Sequence, residues 1–303
     1  MIRRLFFFLL IPFAAWSGSD YLFVFYDHGE SVALLPLVDA LRKKGESVDV
    51  LEYGDLSRDV EVDKNELLDS KVLITGTASK VQLQYMKHCS GRKIAYYDNP
   101  LEIDKTSYAW LIREFEKVVD EFWVSSQIAA SSSMAKDVFV VGNPNFDPYF
   151  ELNGKDSSGS TAAFFAGYDE CDKAALQIFL DGCVAGLFNY DQIFVCPHPK
   201  TDGSLEKELV EKKGLSNVKV LDVGGLSSVE VVAQSVSVFC HRSSMAVKAL
   251  LAGREVICIN PDGSYEPFQT TVEELGIPCG ALEKMLERLG GLPQPRRVCW
   301  WRR

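Results

Sequence analysis

Taken only as a pattern of apolar and polar positions, the chain from Tyr21 onward alternates two kinds of segment. Short, mostly apolar runs at Tyr21 to Tyr26, Val48 to Tyr53, Val72 to Thr75, Lys93 to Tyr97, Phe122 to Ser125 and Val138 to Val141 predict strands of a buried sheet. Between them, Glu30 to Lys44, Ser79 to His88, Thr106 to Val118 and Gln127 to Met134 have helical spacing. Val32, Leu35, Leu37, Val38 and Leu41 form the apolar positions of the first of these, which ends at Gly45. Strand and helix in strict alternation predict a parallel sheet.

From Pro148 to Thr161 the rhythm stops. Asn153-Gly154 and the cluster DSSGS there are linker chemistry. The alternation then restarts with strands at Ala162 to Phe165, Ile193 to Cys196 and Val218 to Leu221, and helices at Cys171 to Leu187, Leu205 to Lys213 and Val229 to Gln234. Val236 to Cys240 reads as a strand. Ala246, Ala249, Leu250 and Leu251 mark a helix that Gly253 stops, and Val256 to Ile259 reads as a further strand. The expected fold is α/β: two Rossmann-like, doubly wound parallel-sheet domains facing across a cleft. Residues 18–150 would form the first, 151–161 the linker and 162–303 the second.

Ligands of open parallel sheets collect at the carboxyl ends of strands. In the second half one such end delivers His241, Arg242, Ser243 and Ser244 onto a helix start, where free N–H groups and hydroxyls suit an anion; the alternative is a plain N-cap by Ser243. Another end delivers Pro197-His198-Pro199-Lys200, with two prolines stiffening the backbone around one imidazole. Gly167-Tyr168-Asp169-Glu170 offers a glycine that a ligand could approach closely, or else an N-cap with acidic first-turn residues. Pro261-Asp262-Gly263-Ser264 reads as a turn beside the same pocket.

In the first half, carboxylates stand at strand ends: Asp27 and Glu30 in YDHGES, and Asp98 in YYDNP. A positioned carboxylate can take the proton of an attacking hydroxyl. Asp27 ranks first, whereas Glu30 has the alternative role of a first-turn acid that complements the helix dipole. His28, between them, has no evident partner.

The whole chain changes this picture only at its margins. Its 303 residues are 47% hydrophobic, which suits two domains with full cores, and its net charge of −10 argues against a general nucleic-acid binder. The eight cysteines show no metal-ligand spacing and read as reduced core thiols, so neither a metal nor a cofactor is expected. Arg3 and Arg4 precede the apolar run Leu5 to Trp16, which is too short to cross a bilayer and resembles a signal peptide ending near Ser17; an uncleaved lead-in is the other reading. The basic, aromatic tail Arg296 to Arg303 suits peripheral contact with an anionic membrane surface, or else frays in solvent. A cytoplasmic protein at the inner membrane is the expectation, and an exported one if residues 1–17 are removed.

Certain segments carry a family likeness. DHGESVALLPLVDALRKKG at Asp27 to Gly45 and VVGNPNFD at Val140 to Asp147, followed by the strand-end His198 and the small-residue turn before ALLAG, resemble the GT-B fold of glycosyltransferases and UDP-N-acetylglucosamine 2-epimerases. The epimerases have an acidic-Ser-Gly-Gly turn and then a glutamate that holds the ribose; here His241-Arg242-Ser243-Ser244 and Met245 to Lys248 stand in those places. A strand-end His-Pro with a Ser-Ser turn resembles instead bacterial sialyltransferases, capsule sugar transferases and CDP-glycerol glycerophosphotransferases. That resemblance implies a cytidine nucleotide-sugar donor, with His198 at its phosphate and Ser243 and Ser244 beneath it, a first-half carboxylate as base, and a glycan or lipid-linked acceptor. A UDP-sugar 2-epimerase-like enzyme and a non-catalytic carbohydrate- or nucleotide-binding protein are the alternatives.

Overall fold

The structure, a computed structural model, describes residues 19–53, 70–157, 159–241 and 243–290. The signal-like segment, Arg242 and the basic tail lie outside the described residues.

Among the described residues there are twelve strands, β1 (Tyr21–Phe25), β2 (Val48–Glu52), β3 (Val72–Thr75), β4 (Arg92–Tyr97), β5 (Glu121–Val124), β6 (Val138–Val140), β7 (Thr161–Phe165), β8 (Gln192–Cys196), β9 (Val218–Val220), β10 (Ser237–Cys240), β11 (Glu255–Ile259) and β12 (Tyr265–Pro267). They form two six-stranded sheets, ordered β2-β1-β3-β4-β5-β6 and β12-β11-β10-β7-β8-β9. All neighbours run parallel except β11 and β12. The Asp262-Gly263 turn closes that hairpin through the Asn260 N–H, which donates to the Ser264 carbonyl at 2.8 Å. Pro261 to Ser264 thus serves an antiparallel edge strand that the apolar pattern does not show, because all three of its residues are exposed.

Among the described residues eleven α-helices flank the strands. α1 (His28–Lys43), α2 (Lys80–His88), α3 (Ala109–Glu116) and α4 (Gln127–Ser132) belong to the first sheet, and α5 (Asp147–Phe150) follows it. α6 (Glu170–Val184), α7 (Ser204–Lys213), α8 (Ser228–Gln234), α9 (Met245–Leu251) and α10 (Val272–Leu275) belong to the second, and α11 (Ala281–Arg288) ends the described chain. Each sheet is covered on both faces, so its central strands are apolar almost throughout, whereas the edge strands β2, β9 and β12 carry exposed charged residues. Phe23, Phe25, Tyr96 and Trp123 face α1, whereas Leu22, Val24, Tyr97 and Phe122 face α2 and α3.

One helix departs from the expected division. α11 falls within 162–303, yet Leu282, Met285 and Leu286 pack into the core of the first sheet. Asp147 accepts the N–H groups of Gly280 and Ala281 at 3.0 and 3.2 Å, which caps α11 from the other half. Arg288 then pairs with Glu121 at 3.1 Å and lies 3.6 Å over the Phe139 ring. Conversely Phe146 and Tyr149, just after the first sheet, are buried in the core of the second. The halves are therefore crossed at both ends.

Candidate functional site

Strand order reverses between β1 and β3 in the first sheet and between β7 and β10 in the second, and the candidate residues emerge beside those two switch points.

At the first, Asp27 caps α1 through Oδ1, which accepts the Glu30 N–H at 2.9 Å. Glu30, only 2% exposed, returns the bond: its Oε1 accepts the N–H groups of Tyr26 and Asp27 and the Gln82 side-chain amide, the last at 2.5 Å. Gln82 is itself the third helical residue of a Ser79 capping box and donates as well to the Val24 carbonyl at 3.0 Å. Two capping boxes thus interlock through one buried contact. Gly76 makes the space, since a Cβ there would fall 1.4 Å from Glu30 Oε2. Burial, then the charge of Asp27, raises the Glu30 carboxyl well above the usual range. Glu30 therefore closes the capping box of α1 from a buried position.

Asp98 follows β4. Its backbone carbonyl accepts Asn143 Nδ2 at 3.4 Å, which ties it to the GNP segment. Its carboxylate and that of Asp27 both border the space above Gly29: a Cβ on that glycine would lie 2.8 Å from Asp98 Oδ2 and 3.4 Å from Asp27 Oδ1. Burial first, then repulsion by Asp27, pushes the Asp98 carboxyl up to about 7. Lys248 of α9, a second-half residue, opposes that rise, and burial brings its own ammonium down to about 8. Lys248 Nζ also stands 5.6 Å over the Tyr149 ring, whose hydroxyl lies 2.7 Å from Ser228 Oγ.

The second edge is more open. His198 Nδ1 accepts the Lys200 N–H at 3.1 Å, so the neutral ring carries its proton on Nε2. Its ring lies 4.7 Å from that of Tyr168, over which Lys200 Nζ stands at 5.4 Å. Burial, then Lys200, lowers the His198 pKa, and the charge of His28 from the other half adds a little to this. Ser243 Oγ accepts the Met245 N–H at 3.2 Å, a local cap, whereas Ser244 is exposed and caps nothing. With seven residues, α9 adds only a modest dipole. His241 is buried; Nδ1 donates to the Ile259 carbonyl at 2.9 Å, and Nε2 has no partner among the described residues.

Gly167 has a local reason to be glycine. A Cβ there would fall 1.8 Å from Asp172 Oδ2, and Asp172 forms the α6 capping box with Asp169, the helix-start use named as that turn's alternative. A hollow of about 280 Å³ lined by Gly167, Tyr168, Thr201 and Glu206 lies beside this turn. A wider one of about 780 Å³, lined by Thr161, Gln192, Lys207 and Asn217, opens at the amino-terminal ends of β7, β8 and β9, away from all of these residues. Of its lining Lys207 alone has a shifted proton affinity, raised by its exposed ion pair with Asp222, and none of the strand-end candidates named above lines it.

Gln82, Lys248 and Tyr108 belong to this region and carry no signal in the motif reading. Only Gln82 could have been found, as the fourth residue of Ser79-Lys80-Val81-Gln82.

No protein-family profile matches the chain, and neither does any curated protein. Solved structures do. UDP-GlcNAc 2-epimerase from Neisseria meningitidis bound to UDP-GlcNAc is 9% identical over 89% of this chain and 90% of that one, with a TM-score of 0.58. S. aureus MnaA with UDP is 10% identical over 80% of each chain, TM-score 0.57, and MurG from Acinetobacter baumannii is 8% identical over 90% and 85%, TM-score 0.53. At such identities the likeness is one of fold. The chain has the GT-B fold, two Rossmann-like units of mostly parallel sheet, as the sequence implied.

Proposed function

We propose that this protein is a glycosyltransferase that uses a nucleotide-activated sugar. The second-half edge holds the donor: His198 Nε2–H and the Ser244 hydroxyl meet the phosphate, with Ser243 holding the turn. The first-half edge holds the acceptor, and the Asp27–Asp98 pair removes its proton. The observation that carries this reading is that both carboxylates border the space above Gly29, with Lys248 of the other half in the field of Asp98. A carboxyl group that takes up a proton near pH 7 suits a general base, because base strength and the ionised fraction are then both useful. The solved structures of the same fold support it, since two of those named above hold UDP-GlcNAc or UDP. A cytidine base for the donor is what the resemblance of the His-Pro and Ser-Ser motifs to the sialyltransferase-like families implies.

The epimerase reading is weaker here. Lys248, in the region where the epimerase turn has its ribose-holding glutamate, lies instead beside Asp98 and Tyr149.

The test separates binding from turnover. His198→Ala and Ser244→Ala should each weaken a cytidine nucleotide by about 10–100-fold, the worth of one charge-assisted hydrogen bond. Asp27→Asn keeps a good N-cap, so it should leave nucleotide affinity intact and remove turnover. Tighter binding of UDP than of CMP or CDP would overturn the cytidine assignment. Unchanged affinity for every nucleotide in both His198 and Ser244 variants would overturn the transferase.

A further inference from the structure

At the first edge an aromatic ring and a cation stand together with no role in the scheme above. Trp110, the second residue of α3, is 57% exposed. Lys80, the first residue of α2, places Nζ 5.5 Å from the centre of its ring. Trp123, by contrast, is fully buried and donates its indole N–H to Glu121, so Trp110 is not exposed for want of core sites.

Both residues stand at helix starts that follow strands of the first sheet, Lys80 after β3 and Trp110 after β4, the strand that Asp98 follows. Lys80 precedes Gln82 by two positions on the helix start that grips Glu30. Burial first, then the fields of Asp98, Asp27 and Glu30, raises the hydroxyl pKa of Tyr108, two residues before Trp110. The indole and the ammonium therefore stand at the same carboxyl edge of the sheet as Asp27 and Asp98.

A flat aromatic face left in water beside the reacting groups suits the C–H face of a pyranose ring. The ammonium adds charge selection. No carboxylate among the described residues neutralises Lys80, and an anionic substituent approaching Asp27 and Asp98 needs such a counter-charge.

We propose that Trp110 and Lys80 form the acceptor subsite, and that it takes a saccharide whose pyranose ring carries a carboxylate or a phosphate. The word acceptor rests on the transferase reading; the binding does not.

The experiment uses the full chain labelled with ¹⁵N, without nucleotide. The Trp110 indole N–H signal is identified by its loss in Trp110→Phe, and the wild type is titrated with methyl glucuronide, glucose 6-phosphate and methyl glucoside. The uronide, the phosphate or both should shift that signal, at least about tenfold more tightly than the glucoside. Which of them does so tells carboxylate from phosphate. Lys80→Met should abolish the preference, and Trp110→Ala should abolish binding followed on the sugar protons, with both variants keeping the nucleotide thermal shift of the wild type. Equal affinity for acidic and neutral sugars, or undiminished binding to Trp110→Ala, overturns the proposal. If nucleotides bind and neither acidic sugar perturbs Trp110, the subsite falls alone. If acidic sugars bind as described and no nucleotide does, the transferase reading falls and the subsite stands as a carbohydrate site.

Discussion

The carboxyl edges of the two sheets are built from the same unit and put to different use. At the first edge the polar groups are interior: Glu30 and Gln82 are buried, bonded to each other and to backbone, and Asp98 is held at a high proton affinity by its surroundings. At the second edge His198 is half-buried, Ser244 and Lys200 are exposed, and Ser243 makes a local bond. A buried, bonded group costs little reorganisation when charge develops beside it, which suits proton removal. Exposed donors exchange water for a ligand readily, which suits capture and release.

This contrast breaks most violently at Gly76. Gly76→Ala drives a methyl group into the Glu30 carboxylate and should cost about 3 kcal/mol or prevent folding, read by urea unfolding, because overpacking is added to the loss of a buried hydrogen-bond network. An unchanged midpoint would mean that Glu30 is free to move.

Next in size is a pH effect confined to the first edge. Asp98 keeps its proton in the folded state up to about 7, while the unfolded carboxyl titrates near 3.8. Between those values the native state binds more protons, so the contribution is fully present below pH 3.8 and is lost as pH rises to 7; Glu30 acts in the same direction. With screening at its open flank, Asp98 accounts for on the order of 2 kcal/mol, and Asp98→Asn should flatten the pH dependence of unfolding by that amount.

Asp147→Ala tests the crossing of the halves. Loss of two N–H acceptors at the start of α11 should cost about 1–2 kcal/mol, and hydrogen exchange should rise in Ala281–Arg288 before the rest of the chain. Smallest of all, His198→Ala and Ser244→Ala should change unfolding free energy by no more than about 0.5 kcal/mol despite their effect on nucleotide affinity. A larger loss would make the second edge structural like the first.

The alternation of apolar runs and helical patterns was enough to specify two parallel-sheet units, because strands buried on both faces leave no freedom in their composition. It also placed Asp27, Asp98, His198 and Ser244 at strand ends, since local order along the chain decides which residues follow a strand. It could not show that Glu30 turns inward to Gln82, 52 positions away, nor that Gly76 and Gly167 are glycines to admit Glu30 and Asp172. The return of α11 to the first sheet and the approach of Lys248 to Asp98 were likewise decided only by packing. Capping, strand length and helix period are short-range properties, written in neighbouring residues. Which buried polar group meets which partner is settled by the closeness of distant segments, where the cost of leaving either one unbonded selects the arrangement.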